Sequence, residues 1–181
     1  MARHTFFSFH YDLDIFRANQ VRNSWVFKLN QAEAGFFDDA GWEKARKSKT
    51  EIKRWINNRL DGASVTVVLI GQDTVDREWV NYELQRSFEL GMGLMGIYIH
   101  NCKDIEGLKT DKGSIDFEPL GKDKNGKDIL FKNFCNVYDW IDDDGYNNLG
   151  IWIEDAYQQA HSNKTRPVVH ISEKHAEQWK A

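Results

Sequence analysis

The segment Val65-Thr66-Val67-Val68-Leu69-Ile70 limits the architecture of this chain more than any other. It is almost wholly β-branched or aliphatic, with no alternation of polar and apolar residues. A strand with one wet face alternates, so this one must be covered on both faces, as in parallel sheets flanked by helices. Parallel neighbours in turn require crossover connections of a dozen residues or more. Helices are therefore expected between the strands.

The sequence supplies them. Thr5-Phe6-Phe7-Ser8-Phe9 reads as a first buried strand, followed by a helix capped by Asp14 and running to about Gln31, with Phe16, Val21, Trp25 and Leu29 at loose helical spacing. Gly35-Phe36-Phe37-Asp38 reads as a short strand, and residues 39–47 as polar and irregular. Ser48-Lys49-Thr50-Glu51 is a capping box opening a helix on Ile52, Trp55, Ile56 and Leu60 that stops at Gly62. Gly71 ends the central strand. A helix from Asp76 to Leu90 carries Val80, Leu84, Ser87 and Phe88 on one face, with Gly91 as its left-handed C-cap and a strand at Met95–Ile99 behind it.

Strands alternating with helices imply right-handed βαβ units. The expected fold class is α/β, a three-layer α/β/α sandwich on a parallel sheet with flavodoxin-like topology. Residues 101–136 break the rhythm as a polar surface excursion rich in Lys, Asp and Gly, with Asn125-Gly126 as a hairpin turn. Val137-Tyr138-Asp139-Trp140 then reads as a last core strand. Leu149, Trp152, Ile153, Ala156 and Ala160 trace an amphipathic helix, and Pro167-Val168-Val169-His170-Ile171 an edge strand. With 181 residues, the chain is read as one domain, 1–181.

Charge and motifs narrow the function. Lys plus Arg number 24 against 28 Asp plus Glu, a net −4, which disfavours a phosphate-backbone binder, so no nucleic acid is expected as partner. The two cysteines, Cys102 and Cys135, form no CxxC, and the histidines no ligand spacing, so neither a disulfide framework nor a metal is expected. No long apolar run or leader is visible. No membrane partner is expected, and the reading is cytoplasmic. P-loop, dinucleotide-fingerprint and nucleophile-elbow motifs are absent.

Open parallel sheets bind ligands beyond the carboxyl ends of their strands, which selects the loops starting at His10-Tyr11-Asp12, Gly71-Gln72-Asp73 and His100-Asn101. Strand alternation puts Phe6, Ser8 and His10 on one side of the sheet and Phe7 and Phe9 on the other. Trp79 and Glu83, four apart, share a helix face near its start. An indole and a carboxylate presented together suit a ligand with a flat ring and a ribose, such as a nucleotide. Spacing alone favours the plainer alternative, Trp79 against the sheet and Glu83 in solvent, and does not establish a site.

On Phe6-Phe7-Ser8-Phe9-His10-Tyr11, Ala63-Ser64-Val65-Thr66-Val67-Val68-Leu69-Ile70-Gly71 and Trp79-Val80-Asn81-Tyr82-Glu83-Leu84, the chain resembles the TIR-like proteins of the ThsB family of bacterial Thoeris antiphage defence. The resemblance runs over about residues 4–100 and more loosely to 160. It implies a TIR-like fold and an NAD-consuming enzyme, a glycohydrolase or ADP-ribosyl cyclase. Such an enzyme cleaves the nicotinamide–ribose bond and makes a cyclic ADP-ribose isomer, a second messenger that activates a separate effector. It carries the catalytic glutamate onto Glu83 through the W-x-x-x-E pattern and a functional aromatic onto Phe6, with Ser8, His10, Tyr11 and Trp79 lining the substrate cleft. NAD is implied as substrate, with no separate cofactor, and a homo-oligomer on activation. Residues 39–47 contain no Pro where TIR domains commonly carry a Pro-Gly BB loop, and the FFSFHY strand is unlike that of animal adaptors. Two other readings remain: a non-catalytic interaction module, and a nucleoside deoxyribosyltransferase-like enzyme.

Overall fold

A computed structural model describes residues 3–29 and 48–162. The expected strands at 35–38 and 167–171 and the irregular stretch 39–47 lie outside the described residues. The element order is β1 (Thr5–Ser8), α1 (Tyr11–Leu29), α2 (Lys49–Leu60), β2 (Val65–Ile70), a 3-10 turn (Thr74–Asp76), α3 (Glu78–Glu89), β3 (Gly93–Tyr98), β4 (Gly121–Lys122), β5 (Asp128–Ile129), α4 (Phe131–Phe134), β6 (Asn136–Asp139) and α5 (Gly145–His161). β1, β2, β3 and β6 form one sheet in that order, every pairing parallel. Ser8 pairs with Val68, Val68 with Gly96 and Gly96 with Val137, which brings the carboxyl ends of the strands to one rim.

The unalternating β2 is buried at every position. Val65, Val67 and Leu69 pack with Met95 and Ile97 under α1 and α5, through Ala18, Val21, Trp25, Leu149, Trp152, Ile153 and Ala156. Val68 and Ile70 face the opposite layer, with Val80, Leu84 and Phe88 of α3. The fold is therefore the expected parallel α/β sandwich. α2 buries Ile52, Ile56 and Leu60 beside Met92, with Trp79 and Tyr82 of α3 packed against them. Its Ser48 hydroxyl accepts the Glu51 N–H at 3.2 Å, the capping bond that the S-x-x-E pattern implies.

Three local readings change. α1 starts at Tyr11, and Asp14 is inside its first turn, its N–H donating to the His10 carbonyl at 2.9 Å, so Asp14 is no cap. Its carboxyl is buried 3.7 Å from Arg17, and burial pushes it up to about 6. The helix expected from Asp76 is split: a 3-10 turn ends there, Arg77 is extended, and α3 begins at Glu78. Thr74 Oγ1, accepting the Gly71 N–H at 2.9 Å, fixes this break.

The third concerns residues 101–136, which do more than face solvent. Phe117, Leu120, Ile129, Phe131 and Cys135 enter the core against α3. A polar-rich segment hides such anchors because they are spaced by no single period. The Asn125-Gly126 signal does form its turn, with Gly126 at φ 78° between the antiparallel β4 and β5. Gly91 likewise adopts φ 86° behind α3, as a C-cap requires.

Close packing of α5 on β3 depends on Gly93, where a β-carbon would lie 2.6 Å from the Ala156 carbonyl oxygen. Both atoms belong to backbone, so neither can swing aside. Gly93→Ala is expected to cost about 1–3 kcal/mol in urea unfolding. An unchanged midpoint would mean that α5 yields freely.

Candidate active site

A cleft opens at the carboxyl end of β1 and encloses about 580 Å³, its solvent-open mouth included. Phe9, His10, Tyr11 and Asp12 form one wall; Arg77, Trp79 and Glu83 form the other, with Trp55 of α2 between them. β1 ends at Ser8, and the chain turns at once into α1, which places the His10–Asp12 corner opposite the start of α3.

Glu83 is 7% exposed, so the alternative of a solvated helix residue is excluded. Ser8 on β1 donates its hydroxyl to Glu83 Oε2 at 2.5 Å. Burial pushes the Glu83 carboxyl up to about 8, and the Ser8 hydrogen bond opposes that rise. A glutamic acid that is mostly protonated at neutral pH thus reaches the cleft amid aromatic rings. Once ionised, it can stabilise a positive charge developing on a ligand, because water is largely kept from it.

The polar groups behind the site hold α3 in place. Ser87 was grouped with the apolar stripe by spacing; it is buried, and its hydroxyl donates to the Glu83 carbonyl at 2.7 Å and lies 2.7 Å from the Thr66 hydroxyl of β2. Asn81, 5% exposed, donates to the carbonyls of Val75 at 2.8 Å and Arg77 at 3.2 Å, and accepts the Glu118 N–H at 2.9 Å. One carboxamide therefore ties together the 3-10 turn, the start of α3 and the segment after β3.

Of the residues singled out in sequence, Glu83, Trp79, His10 and Tyr11 line the cleft. Ser8 is buried and touches it only through Glu83. Trp79 serves two ends: half-buried, it packs edge-on against Tyr82 with ring centroids 6.0 Å apart, and it also lines the cleft. Phe6 lies elsewhere, in an adjoining space of about 490 Å³, its opening to solvent included, lined also by His4, Phe7, Phe9, Arg22, Trp55 and Glu83. Glu83 borders both spaces. His10 is buried, and burial together with the nearby Arg77 charge holds its imidazole below the ordinary histidine range against the pull of Asp12 and Asp73.

Of the three rim loops, the one starting at His10 borders this cleft; residues 71–73 and 100–101 are not among its lining. Gly71 is covered: a β-carbon there would lie 2.1 Å from the Asp14 carboxyl, and one on Gly113 would lie 2.0 Å from the Gly71 carbonyl. His100 and Asn101 turn instead to Asp139, at 3.5 and 3.4 Å. Sequence reasoning placed Asp12 in the rim loop that borders the cleft but missed Phe9, Trp55 and Arg77. Phe9 packs in the α1–α5 core layer with Phe7, as alternation implies, and lines the cleft as well, while Trp55 was absorbed by the periodic core face of its helix.

Two comparisons bear on this geometry. The family model described as "Thoeris protein ThsB, TIR-like domain" matches residues 6–104, which contain β1 from Phe6 onward, β2, α3 and every residue lining the cleft. A curated relative from Bacillus cereus (strain MSX-D12), named "Putative cyclic ADP-D-ribose synthase ThsB1", is 39% identical over 191 aligned positions, covering 84% of this chain and 100% of the relative. With a family match over more than half its length, and this relative aligned along most of it, the chain belongs to the TIR-like ThsB family of Thoeris proteins.

Proposed function

We propose that this protein is an NAD-consuming cyclase of antiphage defence. It cleaves the nicotinamide–ribose bond and closes the remaining ADP-ribosyl group into a cyclic isomer that acts as a second messenger for a separate effector. The observation that carries this reading is the buried Glu83 carboxyl bordering a cleft between aromatic rings, in a chain aligned along most of its length with a relative named for cyclic ADP-D-ribose synthesis.

The C1′–N bond breaks heterolytically. Its electron pair leaves with nicotinamide, which becomes neutral, and the ribosyl group becomes oxocarbenium-like. Glu83 in its ionised form stabilises that cation. The bound pyridinium, positive before cleavage, favours loss of the Glu83 proton on binding, since an opposite charge lowers a carboxyl pKa. A nucleophilic atom of the same ADP-ribosyl group then bonds to C1′, giving a ring, and a hydroxyl in that role would give up its proton. Capture by water would give linear ADP-ribose and a proton. Trp79, Tyr11 and Trp55 supply ring faces for the nicotinamide, His10 a wall of the pocket, and Phe6 an apolar cover on the far side of Glu83. The site is reached from the cytoplasm, and association of copies on activation completes it.

Mass spectrometry of NAD incubated with the concentrated protein tests the reaction. Nicotinamide and a product one water lighter than ADP-ribose are expected. Base exchange on deoxynucleosides without NAD cleavage would favour a deoxyribosyltransferase, and no turnover of either substrate in the associated state would favour a non-catalytic interaction module.

Ser8 acts here as a positioning residue. Its hydroxyl favours the ionised Glu83, so Ser8→Ala should raise that pKa further and move the acid limb of kcat/KM upward by about 0.5–1 pH unit. A limb left in place would remove Ser8 from this role.

A further inference from the structure

The cleft at the carboxyl end of β1 carries one permanent positive charge among its described lining residues, Arg77, whereas Arg22 and Arg59 line the adjoining cavity on the Phe6 side of Glu83. The cleft's other polar members are the acids Asp12 and Glu83, the phenol Tyr11 and the buried imidazole of His10. Among the described residues the Arg77 guanidinium makes no hydrogen bond or ion pair. Arg17 and Arg3, by contrast, are committed: Arg17 reaches Asp104 at 2.9 Å and Arg3 reaches Glu154 at 2.9 Å. Arg77 is also well anchored by its backbone, because the Asn81 carboxamide holds its carbonyl and the helix starts at the next residue.

The surroundings of that guanidinium suit an anion. The first N–H groups of α3 have no partner within the helix and add partial positive charge at the same end. The adjacent Glu78 carboxylate is drawn away to Lys49 at 2.7 Å. Across the cleft, His10 lines the opposite wall and is 7% exposed, and its buried Nδ1 has no hydrogen-bond partner. Asp12, on that wall, suits hydroxyl donors and not phosphates.

We propose that Arg77 binds the diphosphate bridge of the dinucleotide at the cleft mouth and so sets its direction of entry, nicotinamide ribose inward to Glu83 and adenosine outward. This assignment rests on the NAD reading above and goes beyond it: the site selects nucleotides bearing a diphosphate over the corresponding nucleosides. The guanidinium fork matches paired phosphate oxygens, which a lysine meets only as a point charge.

The test uses calorimetric titration in the Glu83→Gln background, where NAD stays intact. Adding Arg77→Ala is expected to weaken NAD about tenfold or more while altering nicotinamide riboside, which has no phosphate, by less than about twofold. Arg77→Lys should recover part of the loss. The NAD affinity should also fall with added salt, less steeply once Arg77 is gone, because an exposed contact is screened. Lys124→Ala, which removes a charge at the β4–β5 turn, should change neither ligand, so steering by net charge is separated from contact.

Equal weakening of both ligands by Arg77→Ala, or of neither, overturns the assignment. Separately, a wild type that releases no nicotinamide removes the enzymatic reading, while the ratio of NAD to riboside binding still decides the role of Arg77.

Discussion

Glu83→Gln should slow nicotinamide release from NAD by about a thousandfold, equivalent to roughly 4 kcal/mol of lost transition-state stabilisation, while the protein folds normally. Gln matches the glutamate side chain in size, and its carbonyl oxygen can still accept the Ser8 hydroxyl, so the geometry at 2.5 Å in the wild type has no reason to collapse. What is lost is the charge that meets the ribosyl cation. The measurement is nicotinamide release by chromatography from matched concentrations of the two proteins, with circular dichroism as the control for folding. A variant within tenfold of the wild type would show that the reaction does not run through this carboxylate.

The same substitution should stabilise the protein at alkaline pH. Glu83 has its ordinary value near 4.5 in the unfolded chain and about 8 in the folded one. Between those values the folded state holds a proton that the unfolded state has given up, so stability falls as pH rises. The protonated carboxyl's contribution is complete below pH 4.5 and gone above pH 8, a difference of up to about 4–5 kcal/mol. Gln does not titrate. The melting temperature of Glu83→Gln should therefore rise relative to wild type between pH 6 and 9, by roughly 5 °C or more. Asp14, with its carboxyl raised from 3.8 to about 6 by burial, has the same sign in a lower window, but it is present in both proteins and cancels. A pH-independent difference would mean that water reaches Glu83 and its burial carries no electrostatic cost.

Both expectations describe a site kept at the expense of stability. A carboxyl buried against aromatic rings disfavours its own ionisation, and that desolvation is what makes its charge effective once a cationic ligand arrives.

Much of the fold was legible along the chain. β2 announced itself by the absence of alternation, α2 by its capping box, and the end of α3 by Gly91; each signal is local, resting on covalent conformational preference or a short period. The start of α3 was misplaced because a 3-10 turn followed by an extended Arg77 has no periodic signature, and the hydrogen bonds that create it come from Thr74 and Asn81. The core role of Phe117 and Phe131 was hidden within a charged segment for the same reason.

The sequence by itself determined which groups were available to the site: a carboxylate four residues after an indole, an aromatic first strand, and strand–helix alternation that requires a rim. Tertiary structure alone decided that Ser8 meets Glu83 across 75 positions, that Phe6 lies in the neighbouring cavity, and that Trp55 and Arg77 join the cleft. The physical reason is range. Helix caps and strand periodicity act over a few residues, whereas burial, and with it the proton affinity of a carboxyl group, depends on everything that the packed chain brings within a few ångströms.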